Sequence, residues 1–339
     1  MIMVKDVSKG FKIPLKKEGL YGAIQGLFTR RYIVKEAIKS VSFNIQPGEM
    51  VGLIGPNGAG KSTLIKMLCG ILVPDTGEIE ILGLVPYKHR KKYTRNIGVV
   101  FGQRSQLWWD LPVGESYTLL KKIYRVDTPT FNKRLEEFSE LLEIKDLLRQ
   151  PVRTLSLGEK MRCELIASLL HNPPLLFLDE PTIGLDIIAK IKIRGFIKEW
   201  NRKSGSTVIL TTHDLSDIQD ICKRVIIIDE GNILFDTEID SVIKRFSNFR
   251  RLLVNFSEDN VNEQKVYQSF SRDEKISIEE LEVANDGNGS YLVKFSQDNN
   301  SIISLIDNVL ANFSVSDIKI QEPSIETVIR LIYEKKVVL

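Results

Sequence analysis

Gly55-Pro56-Asn57-Gly58-Ala59-Gly60-Lys61-Ser62-Thr63 is the stretch on which the reading of this chain turns. It fits Gly, any four residues, Gly, Lys, Ser or Thr, the pattern of a phosphate-binding loop. By average residue usage its four fixed positions recur by chance in roughly one chain in a hundred of this length. The flanks narrow the odds much further. Met50 to Ile54 is a short apolar run that reads as a buried strand, and Leu64 to Leu68 reads as a helix. Strand, glycine loop and helix is the context the motif requires. Glycines without a Cβ let backbone N–H groups wrap an anion, and the helix opening near Lys61 points its positive end at the same place. Lys61 is predicted to reach the β- and γ-phosphates of a nucleotide, and the Ser62 hydroxyl to ligate Mg²⁺.

The 339 residues allow one domain of more than two hundred residues and a smaller one. Hydrophobic residues at 43% and charged residues at 27% are ordinary for a soluble globular chain. A formal net charge of +3 argues neither for nor against a nucleic-acid partner. The sequence has no run of eighteen apolar residues, so no membrane span is expected. Its first residues, MIMVKDVSKGF, lack the apolar run of a signal peptide. Cys69, Cys163 and Cys222 match no metal spacing and read as reduced, buried thiols of a cytoplasmic protein.

Outward from the loop, Met3 to Val7 alternates like a strand, and Ile38 to Ile45 reads as a second. Between them, residues 12–36 read as a basic insertion, with Leu20, Ile24, Leu27 and Phe28 at helical spacing. Such a helix could lie on a membrane or a partner, or be a solvated excursion. Lys88 to Lys92 reads as a solvated basic helix face. Residues 114–149 carry helical periodicity, and the helical subdomain is expected over about 105–170. Leu175 to Leu178 and Thr207 to Thr212 are continuous apolar runs, as in strands buried on both faces of a parallel sheet. Val225 to Ile228 and Asn232 to Phe235 read as a hairpin. Ligands of such sheets gather at strand carboxyl ends, so Lys61, Gln103, Asp179, Glu180 and His213 can share one site. After about residue 245 the pattern changes. Leu252 to Phe256, Ile276 to Val283 and Tyr291 to Phe295 read as strands, Asn285 to Gly289 as a turn, and Ser301 to Phe313 and Ser324 to Glu334 as helices. The expected domains are 1–245 and 246–339.

The phosphate loop, Gln103 beyond a strand, Leu155-Ser156-Leu157-Gly158-Glu159, Leu175 to Glu180, Gly184-Leu185-Asp186 and His213 follow in an order that resembles the ATP-binding cassette (ABC) transporter ATPases. The resemblance covers roughly residues 1–240. Gln321 to Glu326 is similar to the tail of drug-export cassettes. Phe101 to Asp110 resembles a bacterial subgroup that works with separately encoded permeases. The implied fold is α/β: a P-loop NTPase core of ABC type with an inserted helical subdomain, plus a small C-terminal α+β accessory domain.

The resemblance implies an ATPase that uses ATP and Mg²⁺. Gly55, Pro56, Asn57, Gly58, Ala59, Gly60, Lys61, Ser62 and Thr63 would cradle the phosphates. Ser62, Gln103 and Asp179 would serve the metal, Glu180 would act as general base, and His213 would contact the γ-phosphate. Ser156 and Gly158 would contact the nucleotide of a second copy in a head-to-tail homodimer. Leu157 and Glu159 depart from the usual Leu-Ser-Gly-Gly-Gln; Glu159 is expected to bring negative charge near that nucleotide and to slow hydrolysis. Adenine would stack on Phe11, which follows the first strand, or on Tyr32, which has the expected spacing to Ala37-Ile38 and is the preferred of the two. Integral membrane permeases are the implied partners, at the cytoplasmic face of the inner membrane, with Trp108-Trp109 either an anchor for them or core. No nucleic acid is expected. A polysaccharide-export cassette, a soluble ABC ATPase acting on nucleic acid or the ribosome, and a cassette that barely hydrolyses ATP are the alternatives.

Overall fold

A computed structural model describes residues 1–14, 32–102, 104–212, 214–246, 249–258, 261–279, 281–287, 290–296 and 299–321. The expected helix around Leu20 to Phe28, the expected helix Ser324 to Glu334, and both Gln103 and His213 lie outside the described residues. The chain divides into two compact units, Met1–Glu238 and the residues from Ile239 onward. The division falls between Glu238 and Ile239 rather than at 245/246.

In the first unit, strands β1 (Ile2–Pro14), β2 (Tyr32–Ile45) and β4 (Thr76–Ile81) form an antiparallel sheet with β1 in the middle. β1 runs beyond the alternating Met3 to Val7, because Gly10 to Pro14 pair with Glu36 to Tyr32. The flanks of the basic insertion are thus a two-stranded ribbon. A second sheet has the order β5-β6-β7-β3-β8-β9, from β3 (Met50–Ile54), β5 (Ile97–Phe101), β6 (Leu175–Asp179), β7 (Thr207–Thr211), β8 (Arg224–Asp229) and β9 (Asn232–Glu238). Only β9 is antiparallel to its neighbour in it. Burial on both faces explains the unbroken apolar runs: Leu175 to Leu178 and Val208 to Leu210 are all buried.

Register fixes what stands abreast. Phe101 pairs with Asp179, Asp179 with Thr211, and Thr211 with Leu53. The carboxyl ends of four adjacent strands are therefore level, and the chain leaves each of them at one edge of the sheet. Helix α1 (Lys61–Leu68) follows β3 and buries Leu64, Ile65, Met67 and Leu68 in a core shared with Val4, Val41 and Phe177. Between β5 and β6 lie α2 (Val113–Tyr124), α3 (Thr128–Leu141) and α4 (Leu157–Leu169). Asp127 caps α3 by accepting from the Thr130 amide at 2.9 Å, and the Tyr117 hydroxyl donates to the Cys163 carbonyl of α4 at 2.9 Å. Helices α5 (Ile187–Ser204) and α6 (Leu215–Ile221) follow β6 and β7, and a single helical turn, Arg90–Tyr93, precedes β5. Lys88 to Lys92 are exposed, as the solvated-face reading expects. All three cysteines are free and buried; burial pushes the Cys163 thiol up to about 12.

The second unit begins with α7 (Ile239–Phe246). It continues β10 (Phe249–Phe256), α8 (Glu263–Ser271), β11 (Glu282–Gly287), β12 (Ser290–Ser296), α9 (Ile302–Asn312), β13 (Val315–Gln321), with sheet order β11-β12-β10-β13. This is the split βαβ arrangement. Leu252, Val254, Val293 and Phe295 share a core with Val266 and Phe270 of α8 and Leu305 and Val309 of α9. Two expectations change. The strand expected over Ile276 to Val283 lies at Glu282–Gly287, while Ile276 and Leu281 are buried outside any strand. Asn285 to Gly287, expected in a turn, belong to that strand. Among the described residues no helix is long and apolar enough to cross a membrane.

Candidate functional site

The phosphate loop joins β3 to α1 at the level strand ends. Gly58 has φ of +85° with nothing within 4 Å of where a Cβ would stand, so the loop is open on that side. Gly60 has φ of +112°, and a Cβ there would lie 2.4 Å from the Ala37 carbonyl. A side chain at either position is strained, and at Gly60 it would also force β2 off the loop. Gly60 is also the N-cap of α1 and makes no side-chain cap, which leaves the first N–H groups of α1 to the loop. The Lys61 ammonium is buried and donates to the carbonyls of Gly55 (2.6 Å) and Pro56 (3.1 Å). Burial lowers its pKa, against the opposing charges of Glu180 and Asp179. The three side chains therefore share one electrostatic neighbourhood.

Asp179 ends β6, and its Oδ1 accepts from Thr211 Oγ1 at 2.5 Å. Glu180 follows with φ of 55°, a left-handed conformation that costs a non-glycine residue about 1 kcal/mol or more. Its amide is held by the carbonyl of Thr211 (2.9 Å) and by Thr211 Oγ1 (3.2 Å). One threonine thus fixes both acids, although in the sequence Thr211 stands out only as part of the run before His213. The Gly102 amide donates to the Asp179 carbonyl at 2.8 Å, which ties the segment leading to Gln103 to the same corner.

A second network lies behind these acids. Asp217 is fully buried and accepts from Thr182 Oγ1, Thr212 Oγ1 (3.1 Å) and Arg194 Nε (2.6 Å). It links the turn after Glu180 to the residue before His213. Asp214, just after His213, accepts from Lys190 at 2.5 Å; the lysine and Ser216 hold its carboxyl down to about 2 against its burial. No local pattern marks Thr182, Arg194 and Lys190 as partners of these acids, because they meet them across 23 to 35 residues.

Ser156 and Gly158 stand apart at the start of α4. They line an open pocket of about 410 Å³ with Glu159, Gly184 and Asp186. Ser156 and Glu159 form a capping box: the Glu159 carboxylate accepts from the Ser156 amide (2.8 Å) and hydroxyl (2.7 Å), and these contacts lower its pKa. The charge of Glu159 is thus turned back onto its own helix end. Trp108 and Trp109 are 40% and 56% exposed, so neither is core. Phe11 and Tyr32 are both exposed on the ribbon. They do not face each other across it, since Phe11 pairs with Lys35 and Tyr32 with Pro14.

Residues 38–183 match the ABC transporter family. The chain is 30% identical over 298 residues to the linearmycin resistance ATP-binding protein LnrL of Bacillus subtilis, covering 88% of this chain and 93% of that one. It belongs to the ABC transporter ATP-binding proteins. The bacitracin transport ATP-binding protein BcrA of Bacillus licheniformis is 31% identical, over 76% of this chain and 81% of its own. Among solved structures, the dimeric post-hydrolysis cassette MJ0796 bound to ADP and Pi superposes with a TM-score of 0.58 at 28% identity, over 70% of this chain and 99% of that one. The cassette is therefore an ATP-binding ATPase whose relatives include antibiotic-resistance and antibiotic-transport proteins.

The donors offered to a metal suit Mg²⁺. Ser62 would bring a hydroxyl and Asp179 a carboxylate, both hard oxygens, and among the described residues no group of three or more His, Cys, Asp or Glu is placed to hold a metal ion. A protein site so sparse matches an ion that keeps its waters and shares the substrate's phosphates.

Proposed function

We propose that this cassette is the motor subunit of a bacterial exporter, closing as a head-to-tail homodimer on ATP and driving separately encoded membrane permeases. The observation that carries the reading is the split of the machinery. Lys61, Asp179 and Glu180 share one corner, while Ser156 and Gly158 open a different pocket. A second copy is needed to bring the two halves together around one nucleotide. ATP then shifts the equilibrium through its higher affinity for the closed pair. The drug-resistance relatives favour export and a place at the cytoplasmic face of the membrane.

Within that reading, Lys61 and the loop amides hold the β- and γ-phosphates. Ser62 and Asp179, with Gln103, would hold Mg²⁺, which when bound neutralises phosphate charge. Glu180 accepts the proton of the attacking water, and His213 keeps water and phosphate in line. The ribbon register favours Phe11 over Tyr32 for adenine. Ala37 touches the phosphate loop, and strand rise puts Lys35, the partner of Phe11, about 7 Å from it but Tyr32 about 16 Å away. Phe11→Ala is expected to weaken ATP binding about tenfold, since one stacked base is worth roughly 1–3 kcal/mol. Tyr32→Ala should stay within about twofold. A fluorescent-nucleotide titration of both variants checks the assignment.

The exposed Trp108 and Trp109 suit a permease contact, as amphipathic aromatic anchors do. The test is capture of the tagged chain from detergent-solubilised membranes of its host. One or two integral membrane proteins should come with it, and Trp108→Ala should lose them while basal ATP turnover persists. Capture of only soluble partners would overturn the exporter reading.

A further inference from the structure

Glu164 is a carboxylate in a place where burial works against one. It sits two turns into α4 at 4% exposure, and burial raises its pKa. Leu rather than Glu is what an interior helix position normally carries. The carboxylate is instead surrounded by donors from one short segment. It accepts from the Ser105 hydroxyl and from the Gln106 amide (3.1 Å), while the Gln106 side chain donates back to the Glu164 carbonyl at 3.1 Å. Ser105 Oγ also accepts from the Leu107 amide at 3.1 Å. The segment leaving β5 is thus fastened to α4 by both side chains and backbone.

The fastening continues along one stripe of the helix. Lys160 and Glu164 are spaced by four and so are neighbours on α4, and Ser156 caps the helix four residues before Lys160, about 12 Å from Glu164 along the axis. Lys160 Nζ stands 5.1 Å from the centre of the Trp109 ring, a cation–π contact. The Arg153 amide donates to the Trp109 carbonyl at 3.0 Å. One end of the stripe holds the segment from β5, the middle holds the exposed tryptophan, and the other end carries the Ser156 cap.

We propose that Glu164 is a positioning residue: it joins residues 105–109 and helix α4 into one lever, so that displacement at Trp108-Trp109 is delivered to Ser156. The transmission to a permease rests on the reading given under Proposed function; the lever itself does not. Without the Glu164 carboxylate the 105–107 segment loses two of its ties to α4 and keeps the Gln106 side-chain bond to the backbone carbonyl, so α4 is held less firmly against the strand end that meets Asp179. Nucleotide contact at the phosphate loop is untouched. The loss therefore falls on turnover, not on binding.

The test uses the purified full-length chain. Glu164→Leu fills the volume but offers no acceptor. Glu164→Gln keeps one acceptor oxygen for the Gln106 amide, and its amide can donate to Ser105 Oγ, which accepts as readily as it donates. Expected for Glu164→Leu is a kcat lower by roughly tenfold per nucleotide-binding-competent chain, as misplacement of a contact group by a fraction of an ångström produces. The nucleotide Kd should stay within about twofold. Amide exchange should quicken together at residues 105–107 and at the start of α4. Glu164→Gln should recover most of the turnover, and Ser105→Ala should cost less in the Glu164→Leu background than in the parent.

Unchanged exchange at both segments in Glu164→Leu would overturn the lever, as would a fall in affinity matching the fall in kcat. So would a glutamine variant no better than leucine at equal thermal stability. Permease capture by the same variants is read separately. If Glu164→Leu behaves as expected but no membrane protein is ever captured, the lever stands and the permease reading fails. If permeases are captured and exchange is unchanged, the reverse holds.

Discussion

Replacing Glu180 by glutamine is expected to lower ATP turnover by about a thousandfold or more, the scale of a lost general base combined with lost water positioning. The substitution preserves shape and volume. It leaves the left-handed backbone at φ 55° and the two bonds from the Glu180 amide to Thr211 in place, because those belong to the main chain. What changes is that a carboxamide oxygen has almost no basicity, and one negative charge beside Lys61 is gone. The second change strengthens phosphate binding. The variant should therefore bind ATP at least as tightly as the parent and accumulate as a closed dimer. Size-exclusion chromatography with and without ATP reads that accumulation, and phosphate release reads the turnover. A variant that hydrolyses as fast as the parent would remove Glu180 from the role proposed for it. One that loses turnover without any ATP-dependent dimer would overturn the head-to-tail closure instead.

The corner around Glu180 was legible in the sequence for a physical reason. Chemistry on a phosphate needs particular side chains, and a parallel sheet delivers them at strand carboxyl ends, where an apolar run stops and a polar residue begins. Ile54 to Gly55 and Leu178 to Asp179 are such junctions, and each carries its residue type openly. The supports are not legible in this way. Thr211 looks like the last residue of a strand, and only the register opposite Asp179 gives its hydroxyl a task. Asp217 and Arg194 read as ordinary charged residues of two helices, yet one is fully buried and bound to the other. Glu164 reads as a helix former and proves to be the acceptor for a segment 58 residues away. Each of these is a tertiary pairing with no period of its own.

The fold failed to show itself where local signals were weakest. Gly10 to Pro14 put a glycine and a proline around only three alternating residues, Phe11, Lys12 and Ile13, too short a signal to mark a strand; pairing with β2 makes them one. Helix α8 is polar along its length, with only Val266, Ser269 and Phe270 buried, and a stripe that narrow is hard to tell from loop. Its cap is nonetheless explicit: the Asn262 side chain accepts from the Lys265 amide at 2.9 Å.

Lys61→Met is expected to weaken ATP binding by about a hundredfold or more, the loss of roughly 3 kcal/mol or more that follows from removing charge-assisted bonds to two phosphates. The same substitution should leave the fold intact, and the sign of that second effect follows from burial. Lys61 is buried and charged, and burial lowers its pKa even with Glu180 and Asp179 nearby. A buried ammonium costs desolvation that two backbone carbonyls offset only in part. Methionine fills nearly the same volume and removes that cost, while the carbonyls of Gly55 and Pro56 can turn to water at the open side of the loop near Gly58. Against this stands the lost attraction to the two acids. The two terms oppose each other, so the melting temperature should move by no more than about 4 °C, the shift that 1 kcal/mol produces in a unit of this size. Nucleotide titration and thermal melting of the same preparation check both halves. A large fall in stability would mean that Lys61 is chiefly a structural tie between the loop and the acids. Wild-type affinity would mean that the loop amides hold the nucleotide without it. Lost affinity in a cassette that melts where the parent does would fit a lysine kept at some cost to the fold for the sake of the phosphates.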